Sequence, residues 1–407
     1  MGGQRLQLTW QHDPTVYAPP RYRRACGYEA FVPAPLAGRE LNLRAGVAGV
    51  VSEAEAAIRT LNAAARPALA PLARLLLRTE SIASSRVEGM QIGVRELARA
   101  EARLEAGGHA GPTAVEIMAN IDAMQLAIDE AATVERFRTA EILAIHRRLM
   151  DKAPNENVAG RLRAVQNWIG GNDYNPCGAD FVPPPAEYIE GLLSDLCDAI
   201  NDDILPPLVQ AALVHAQFET IHPFDDGNGR TGRALIHVIL RRRGVAPEYV
   251  PPISVALAAA RGRYIQGLTA FREDRTDEWI EHFAGAAASA AHLATEYLGA
   301  VAGLRDAWRT RLAASPNAPR ADAAAWAIID VLPAHPMITA PVAAAVTRRS
   351  KPQVYVALKQ LQEAGVLLPL VKGRRNQAWE ASGLLDLLGG LEAGERPAAA
   401  ATAPEPT

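Results

Sequence analysis

Residues 222–233 read His-Pro-Phe-Asp-Asp-Gly-Asn-Gly-Arg-Thr-Gly-Arg, and the stretch that follows, residues 234–240, is almost entirely apolar. Three arginines, 241–243, close the apolar stretch, and Gly244 follows them. Cationic side chains in the last turn and a glycine just beyond it are typical of a helix C-terminus. The sequence therefore predicts an apolar helix with a glycine-containing loop at its N-terminus.

The loop has the residue types of a phosphate-binding site. A helix N-terminus carries unpaired N–H groups and a partial positive charge, which together favour anions. Gly227 and Gly229 let the backbone turn sharply and approach phosphate oxygens without a Cβ in the way. Arg230 and Arg233 are three residues apart, so they lie on one face of the helix as it begins, and each offers a rigid fork of donors.

Two further residues add chemistry to this loop. Asp226 is a hard oxygen ligand of the kind that Mg²⁺ uses together with phosphate oxygens. His222 precedes the loop and is the candidate general base. A plain turn is the alternative interpretation of any Gly/Asp/Asn cluster. No Gly-Lys-Ser/Thr sequence follows, so the loop is not a Walker A loop.

Residues 222–233 resemble the signature of the Fic family, HxFx(D/E)GNGRxxR, with every defining position filled. The resemblance implies transfer of AMP from ATP to a Ser, Thr or Tyr hydroxyl of a target protein, with His222 as base, Asp226 as the Mg²⁺ ligand and Arg233 on the γ-phosphate. Gly229 stands where the phosphate-transferring toxin branch of the superfamily has lysine. The nucleotide-binding residues implied here are Gly227, Asn228, Gly229, Arg230, Thr231, Gly232 and Arg233.

Residues 161–184 are predicted to form a β-hairpin, because alternating apolar positions lead into Gly170 and Gly171. Taken alone, this is a surface turn. It also resembles the family's flap, which covers the active site and pairs with the target protein as an added strand. The resemblance implies that Ile169, Gly170 and Gly171 border the nucleotide, and that Tyr264 lies near the adenine. Ile265 replaces the second tyrosine of the family's pair.

Residues 81–89 contain a second resemblance. Ser84, Glu88 and Gly89 match the family's inhibitory motif, [S/T]xxxE[G/N], upstream of the catalytic loop. The resemblance implies that Glu88 pairs with Arg233 and occupies the fork that would take the γ-phosphate. Two alternatives stay open: an amphipathic helix with a solvated glutamate, and a Glu88 that positions water for AMP removal.

The C-terminal part resembles a winged helix-turn-helix, with short helices, a turn before the last helix and a β-wing. Residues 337–379 contain seven Lys or Arg and one acid, Glu363, which predicts a possible DNA surface, although winged helices also bind proteins. Arg374 and Arg375 are candidates for phosphate contacts. The groove-facing candidates are Ser350, Lys351, Gln353 and Tyr355.

Few strand patterns occur before residue 320, so the predicted fold is mainly α: a Fic-type helical core with a β-hairpin flap and a small C-terminal domain. Helices are predicted at 113–132, 139–151, 187–201, 206–220, 254–272 and 276–298. Prolines make residues 1–40 look irregular, with an extended arm at 28–36. The predicted regions are an arm and inhibitory helix at 1–107, a core at 108–315, a winged helix at 320–388 and a disordered tail at 391–407.

Composition narrows the protein class. The 407 residues are 49% hydrophobic and 21% charged, as in ordinary globular proteins. No apolar run long enough for a membrane span and no signal-peptide pattern are present, and three scattered cysteines predict neither a zinc site nor a disulfide scaffold. A reducing cytoplasm is therefore expected. Beside AMP transfer, the open alternatives are a hydrolase that removes AMP, and a DNA-binding transcriptional or toxin–antitoxin regulator with nucleotide as ligand.

Overall fold

The computed structural model describes residues 2–15, 17–64, 70–105, 107–370 and 377–397. The chain forms two compact units, each assembled from separate stretches of sequence. The first unit is Met1–Glu55, Asp122–Pro247 and Ala260–Ala286, and the second is Ala56–Ile121, Glu248–Ala259 and Ala287–Thr407. The regions predicted from the sequence are consecutive along the chain, whereas each of these two units combines separate stretches of sequence.

The described residues are mainly helical, which confirms the predicted fold class. The helices are α1 Ala45–Ala63, α2 Ala70–Val87, α3 Val94–Glu105, α4 Pro112–Asp129, α5 Thr139–Met150, α6 Ile189–Asn201, α7 Pro207–Ile221, α8 Asn228–Arg242, α9 Ile253–Ala259, α10 Arg261–Arg272, α11 Thr276–Ala313, α12 Ala324–Val331, α13 Ala340–Thr347, α14 Lys351–Glu363 and α15 Leu384–Ala393. The strands are β1 Gly3–Trp10, β2 Cys26–Pro33, β3 Met337–Thr339, β4 Leu367–Pro369 and β5 Ala378–Ala381. The predicted helix at 254–272 is two helices, α9 and α10.

The first unit is built around the pair α7 and α8. Every residue of α7 from Leu208 to Ile221 is buried, so this helix has no polar face and lies inside the unit. The apolar part of α8 is buried in the same way. Gly232 permits the close approach of the two helices, because a Cβ there would lie 2.9 Å from Cδ1 of Phe218. The loop between α7 and α8 is therefore held by a rigid core at both ends.

The N-terminal segment is a β-hairpin, so the prediction of irregular structure for residues 1–40 is wrong, while the extended conformation expected at 28–36 is present as far as Pro33. β1 and β2 pair in antiparallel register from Gly3 opposite Pro33 to Trp10 opposite Cys26. The prolines that exclude a helix lie between the strands or at the end of β2, where they do not interrupt the ladder. The backbone N–H of Phe31 donates to Val182 O at 3.0 Å, which attaches the hairpin to the 161–184 segment.

A disulfide joins Cys26 to Cys177, with Cα atoms 6.3 Å apart. The expectation that the cysteines do not pair is therefore wrong for two of the three. The partners are 151 residues apart in sequence, so their proximity could not be read from spacing. Cys197 is a buried free thiol, and burial raises its pKa to about 11.

In the second unit, the C-terminal elements form a small α/β arrangement. Three antiparallel strands lie in the order β3-β5-β4, with α12, α13 and α14 packed together. Thr339 caps α13, since its hydroxyl accepts from the N–H of Val342 at 3.4 Å. β4 pairs with β5 in antiparallel register, with Leu367 opposite Ala381 and Pro369 opposite Trp379. The winged-helix assignment itself stays a prediction.

The C-terminal end of the chain is partly helical. α15 runs to Ala393 with Leu391 and Glu392 buried, so a disordered tail beginning at 391 is wrong for these residues. Arg374 and Arg375, the candidates for phosphate contacts, lie outside the described residues. Within the described ranges, no helix has the length and apolar character needed to cross a membrane.

Candidate functional site: the loop between α7 and α8

His222 ends α7 in a left-handed backbone conformation, with φ 49° and ψ 60°. A non-glycine residue rarely adopts this conformation, which costs about 1–2 kcal/mol. Its N–H still donates to Phe218 O at 2.9 Å, so the turn closes α7 while redirecting the chain. The side chain is partly exposed at the mouth of the loop, as a base needs to be.

Asn228 fixes the shape of the loop. Its side-chain Oδ1 accepts from the N–H of Phe224 at 2.9 Å, and its Nδ2 donates to Phe224 O at 2.8 Å. Gly227 has φ 76° and precedes α8. A phosphate contact through the Asn228 side chain, which the resemblance implies, competes with these two bonds. Its backbone N–H and that of Gly229 precede the first helical hydrogen bond, an arrangement suited to anions.

Asp226 presents its carboxylate at the edge of the loop. The side chain is 48% exposed, and its Oδ1 lies 3.6 Å from Nη2 of Arg230. Asn155 donates to Oδ2 at 3.2 Å, and the N–H of Gly227 donates to Oδ1 at 2.6 Å. A half-exposed, oriented carboxylate next to a phosphate-binding turn fits the donor chemistry of a Mg²⁺ ligand.

Arg230 and Arg233 are both buried at the start of α8, with 2% and 0% of their surface exposed. Arg233 lies close enough to His215 to lower the pKa of that histidine, which burial above all depresses to about 3. Burial removes competing water from guanidinium groups, so an anion reaching them would meet strong donors. The structure therefore brings His222, Asp226 and the two arginines into one local site.

Two of the expected nucleotide-binding residues serve the helix instead. The N–H of Thr231 donates to Gly227 O at 3.0 Å, and its side chain is fully buried. A Cβ on Gly232 would lie 2.6 Å from Oε1 of Glu219, so this position faces α7. The nucleotide-binding assignment of Thr231 and Gly232 stays a prediction, and it cannot rest on their side-chain directions, because successive residues of a helix point in different directions and these two point into the core.

Sequence reasoning missed His146, on α5. Its ring stacks on Phe224, with centroids 3.6 Å apart. Gly160 donates its N–H to Nδ1 at 2.9 Å, which leaves the proton on Nε2 to be donated to Asp226 O at 3.0 Å. Burial lowers the pKa of His146 to about 4, so it is neutral at pH 7. In the sequence, His146 is a lone histidine on an apolar helix face, and nothing in that pattern indicates its contacts with the loop.

Sequence reasoning also missed Arg163, which is 3% exposed. Its Nε donates to His222 O at 2.9 Å. Burial lowers the pKa of Arg163 to about 10, so the side chain remains a cation at neutral pH.

In the 161–184 segment, residues 170–180 form an irregular loop rather than the tip of a long hairpin. A single bridge joins Ile169 to Phe181, with Ile169 N–H donating to Phe181 O at 2.8 Å. Gly170 and Gly171 have φ of 75° and 74°. A Cβ on Gly170 would collide with the carboxylate of Asp180, and one on Gly171 would lie 2.8 Å from Gly178 O. The loop therefore requires glycine at both positions, because of the positive φ and of the close neighbours that a Cβ would meet.

Tyr264 is a core residue, which is against its expected place beside an adenine. Only 4% of its surface is exposed, and its hydroxyl lies 2.9 Å from Nε2 of His215. The two rings stack with centroids 5.8 Å apart. Periodicity could not distinguish this buried polar pair from a ligand contact.

The inhibitory motif lies in the second unit, at the end of α2. Ser84 is fully buried, and Glu88 follows the last residue of the helix. The N–H of Glu88 donates to Ser85 O at 3.1 Å, and Gly89 has φ 86°. A glycine is suited to this position because the chain leaves the helix through a left-handed residue.

A partly exposed histidine, an oriented carboxylate and two buried arginines around a glycine turn are the groups that phosphate binding and general-base chemistry would require. Comparison with known proteins is in agreement. The model of the Fic/DOC family matches residues 136–240, and that of the Fic/DOC family N-terminal region matches residues 49–129. The chain therefore contains a region that matches the Fic/DOC family and one that matches the N-terminal region of that family.

Curated relatives match part of the chain. Protein adenylyltransferase fic-1 of Caenorhabditis elegans is 37% identical over 115 residues, which is 27% of this chain and 20% of the relative. Protein adenylyltransferase Fic of Nematostella vectensis is 39% identical over 114 residues, which is 27% of this chain and 24% of the relative. The chain thus spans about a fifth to a quarter of the length of these relatives.

Solved structures share the fold. A Fic family protein from Desulfovibrio desulfuricans matches with a TM-score of 0.52 and 21% identity, covering 84% of this chain and 98% of that one. Fic-1 from C. elegans matches with a TM-score of 0.50 and 22% identity, covering 64% of this chain and 74% of that one. At these identities the likeness concerns the fold alone.

Proposed function

We propose that this protein transfers AMP from ATP to a Ser, Thr or Tyr hydroxyl of a target protein, itself included. The observation that carries the proposal is the loop from His222 to Arg233, in which a base, a carboxylate and two buried arginines surround a helix N-terminus. The reaction class follows the name of the relatives, protein adenylyltransferase.

In the proposed reaction, the target hydroxyl oxygen attacks the α-phosphorus of ATP and a new P–O bond forms. The bond from the α-phosphorus to the bridging oxygen breaks, pyrophosphate leaves, and the hydroxyl proton passes to the imidazole of His222. Arg230 and Arg233 would hold the phosphates, and Asp226 would hold Mg²⁺. When bound, that ion neutralises charge on the leaving pyrophosphate. Positioning and charge neutralisation therefore account for the rate enhancement more than covalent help does.

The target is proposed to dock as an added strand on residues 165–169 of the flap. Val182 on the other leg accepts a hydrogen bond from the N–H of Phe31, so β2 occupies that side at this point. Val165 is 66% exposed on the leg that remains. Strand addition uses main-chain hydrogen bonds and tolerates varied side chains, which suits a protein substrate.

Glu88 is proposed to restrain the enzyme by pairing with Arg233, as the inhibitory motif implies. A carboxylate in that fork excludes the γ-phosphate and skews the triphosphate, so the α-phosphorus is not in line for attack. Releasing the fork should increase transfer by at least about tenfold, since misplacement of the reacting atoms by about 1 Å can cost about 100-fold.

The test is incubation with α-labelled ATP and Mg²⁺, followed by measurement of label on protein. Glu88→Gly should label strongly, and the double variant with His222→Ala should not label. Glu130→Gly is a matched control, because Glu130 is an exposed glutamate one residue beyond the end of α4. Equal labelling of wild type and Glu88→Gly would contradict the restraint. Absence of label in every variant, with cell lysate as target, would contradict the transferase and favour AMP removal.

A DNA contact by the C-terminal elements is a second, independent part of the proposal. Tyr355 on α14 is 58% exposed, and Lys351 at the start of that helix is exposed as well. Ser350 and Gln353, expected to face a groove, instead bond to each other across the helix start. Filter binding to duplex DNA across a salt series tests the contact, since each neutralised phosphate contributes a slope of about −0.9. Binding that does not vary with salt would contradict it.

A further inference from the structure

Arg163 occupies the point where the flap leaves the body of the first unit. Its guanidinium donates to four backbone carbonyl oxygens. Nε donates to His222 O at 2.9 Å, Nη1 to Val165 O at 2.9 Å, and Nη2 to Pro184 O and to Ile221 O, the last at 3.5 Å.

The acceptors come from two segments that carry different parts of the site. Val165 and Pro184 lie on the two legs of the flap, while Ile221 and His222 are the end of α7 and the start of the loop. The backbone N–H of Arg163 also donates to Pro223 O at 3.0 Å. One planar cation therefore sets the separation between the flap and the base. Only arginine offers donors in a rigid fork, and lysine presents a point charge instead.

The carbonyl of His222 needs such an anchor because of its backbone conformation. At φ 49° the residue is strained, and surrounding contacts must hold it there. Its N–H is held by α7, and its carbonyl is held by Arg163 and, at 3.4 Å, by Nδ2 of Asn167. Both donors to this carbonyl belong to the flap segment, so the flap and the backbone of His222 cannot move independently.

We propose that Arg163 is a positioning residue for the transfer reaction, one that couples the flap on which the target docks to the backbone of His222. A target strand added to the flap is then aligned with the base by the same four hydrogen bonds. This inference rests on the proposed function for the reaction it serves. The mechanical link between flap and loop can be measured without the reaction.

The decisive variants are Arg163→Met and Arg163→Lys, with Arg242→Met as a matched control. Arg242 is a half-buried arginine on α8 that also donates to backbone carbonyls, among them Val134 O at 2.6 Å and Glu135 O at 3.3 Å. Its acceptors are remote in sequence from the flap and from the loop. Loss of a cation that donates to backbone carbonyls is therefore common to both methionine variants, and the segments that the cation joins differ.

The first measurement is amide hydrogen exchange of peptides covering 164–184 and 218–227. Arg163→Met should exchange at least about tenfold faster in both peptides together, because the bonds that join them are lost. Arg163→Lys should recover part of this protection, and Arg242→Met should leave both peptides unchanged. Unchanged protection in Arg163→Met, or faster exchange of only one peptide, would overturn the coupling.

The second measurement is the rate of transfer in the Glu88→Gly background, with the affinity for ATP determined separately by calorimetry. Arg163→Met should lose about 100-fold in rate while ATP affinity stays within about threefold, since positioning is lost and phosphate binding is not. Arg163→Lys should regain at least about tenfold of that rate. An equal loss of rate and ATP affinity, or an equal loss in Arg242→Met, would show a merely structural role. If the Glu88→Gly parent itself does not transfer AMP, the proposed function fails, and the exchange measurement alone decides the coupling.

Discussion

Two glycines at opposite ends of α8 allow the geometry of the loop to be tested. Gly227 precedes the helix with φ 76°, and Gly244 follows it with φ 64°. A Cβ on Gly227 would lie 3.1 Å from Sδ of Met150, 3.2 Å from Cδ2 of Leu149 and 3.3 Å from Cδ2 of His146. A Cβ on Gly244 would meet no atom of the described residues within 4 Å. The two positions therefore share backbone strain and differ in contacts.

The expected magnitudes follow from that difference. Alanine in the left-handed region costs about 1–2 kcal/mol, which applies to both positions. Overpacking against three neighbours adds about 1–3 kcal/mol, which applies to Gly227 alone. We expect Gly244→Ala to lower the free energy of unfolding by about 1–2 kcal/mol and Gly227→Ala to lower it by about 2–5 kcal/mol.

The activity should separate the two variants further. Gly227→Ala displaces the turn that carries Asp226 and the helix N-terminus, so we expect transfer in the Glu88→Gly background to fall by about 10- to 100-fold. Gly244→Ala lies at the far end of the helix and should retain the parental rate. The assays are urea unfolding and the initial rate of labelling from α-labelled ATP. Equal losses of unfolding free energy would refute the contact argument, and an unchanged rate in Gly227→Ala would refute the role of loop geometry.

Two further predictions concern stability. Burial lowers the pKa of His146 to about 4 and of His215 to about 3, so both stay neutral in the folded protein while the unfolded chain gains protons below about pH 6.5. The stability that they contribute is complete above pH 6.5 and is lost as the pH falls towards 4, by up to about 1.4 kcal/mol per pH unit for each histidine. His146→Phe should reduce this dependence of the unfolding free energy on pH, measured by urea unfolding at pH 7, 6 and 5. An identical dependence in the variant and the wild type would contradict the prediction. The disulfide between Cys26 and Cys177 should stabilise the folded state by about 2–4 kcal/mol. Dithiothreitol should therefore lower the melting temperature of the wild type and leave that of Cys26→Ser unchanged. Equal responses of the two proteins would exclude the disulfide.

The candidate site loop could be predicted because its information is local. Residues 222–233 are contiguous, and the helix that they open is marked by its own composition. The sequence does not give the direction of each residue within the loop: Thr231 and Gly232 lie in the motif but face the core, since the orientation of a residue depends on which side of α8 packs on α7. Asn228 likewise proved to bond to Phe224 within the loop.

The N-terminal hairpin shows a different limit. Prolines between residues 14 and 35 exclude a helix, and this exclusion can be predicted from the sequence. They do not show that β1 pairs with β2 in full register, because strand pairing depends on a partner rather than on intrinsic preference.

The sequence by itself determined the helical class, the candidate phosphate-binding loop with its candidate base, and the family resemblance, because these depend on residues within a few turns of one another. Tertiary structure alone decided which side chains support that loop. Arg163 reaches the carbonyl of His222 across 59 residues, His146 reaches that of Asp226 across 80, and Cys26 reaches Cys177 across 151. Contacts over such separations are created by the packing of whole helices, and no short pattern in the chain records them.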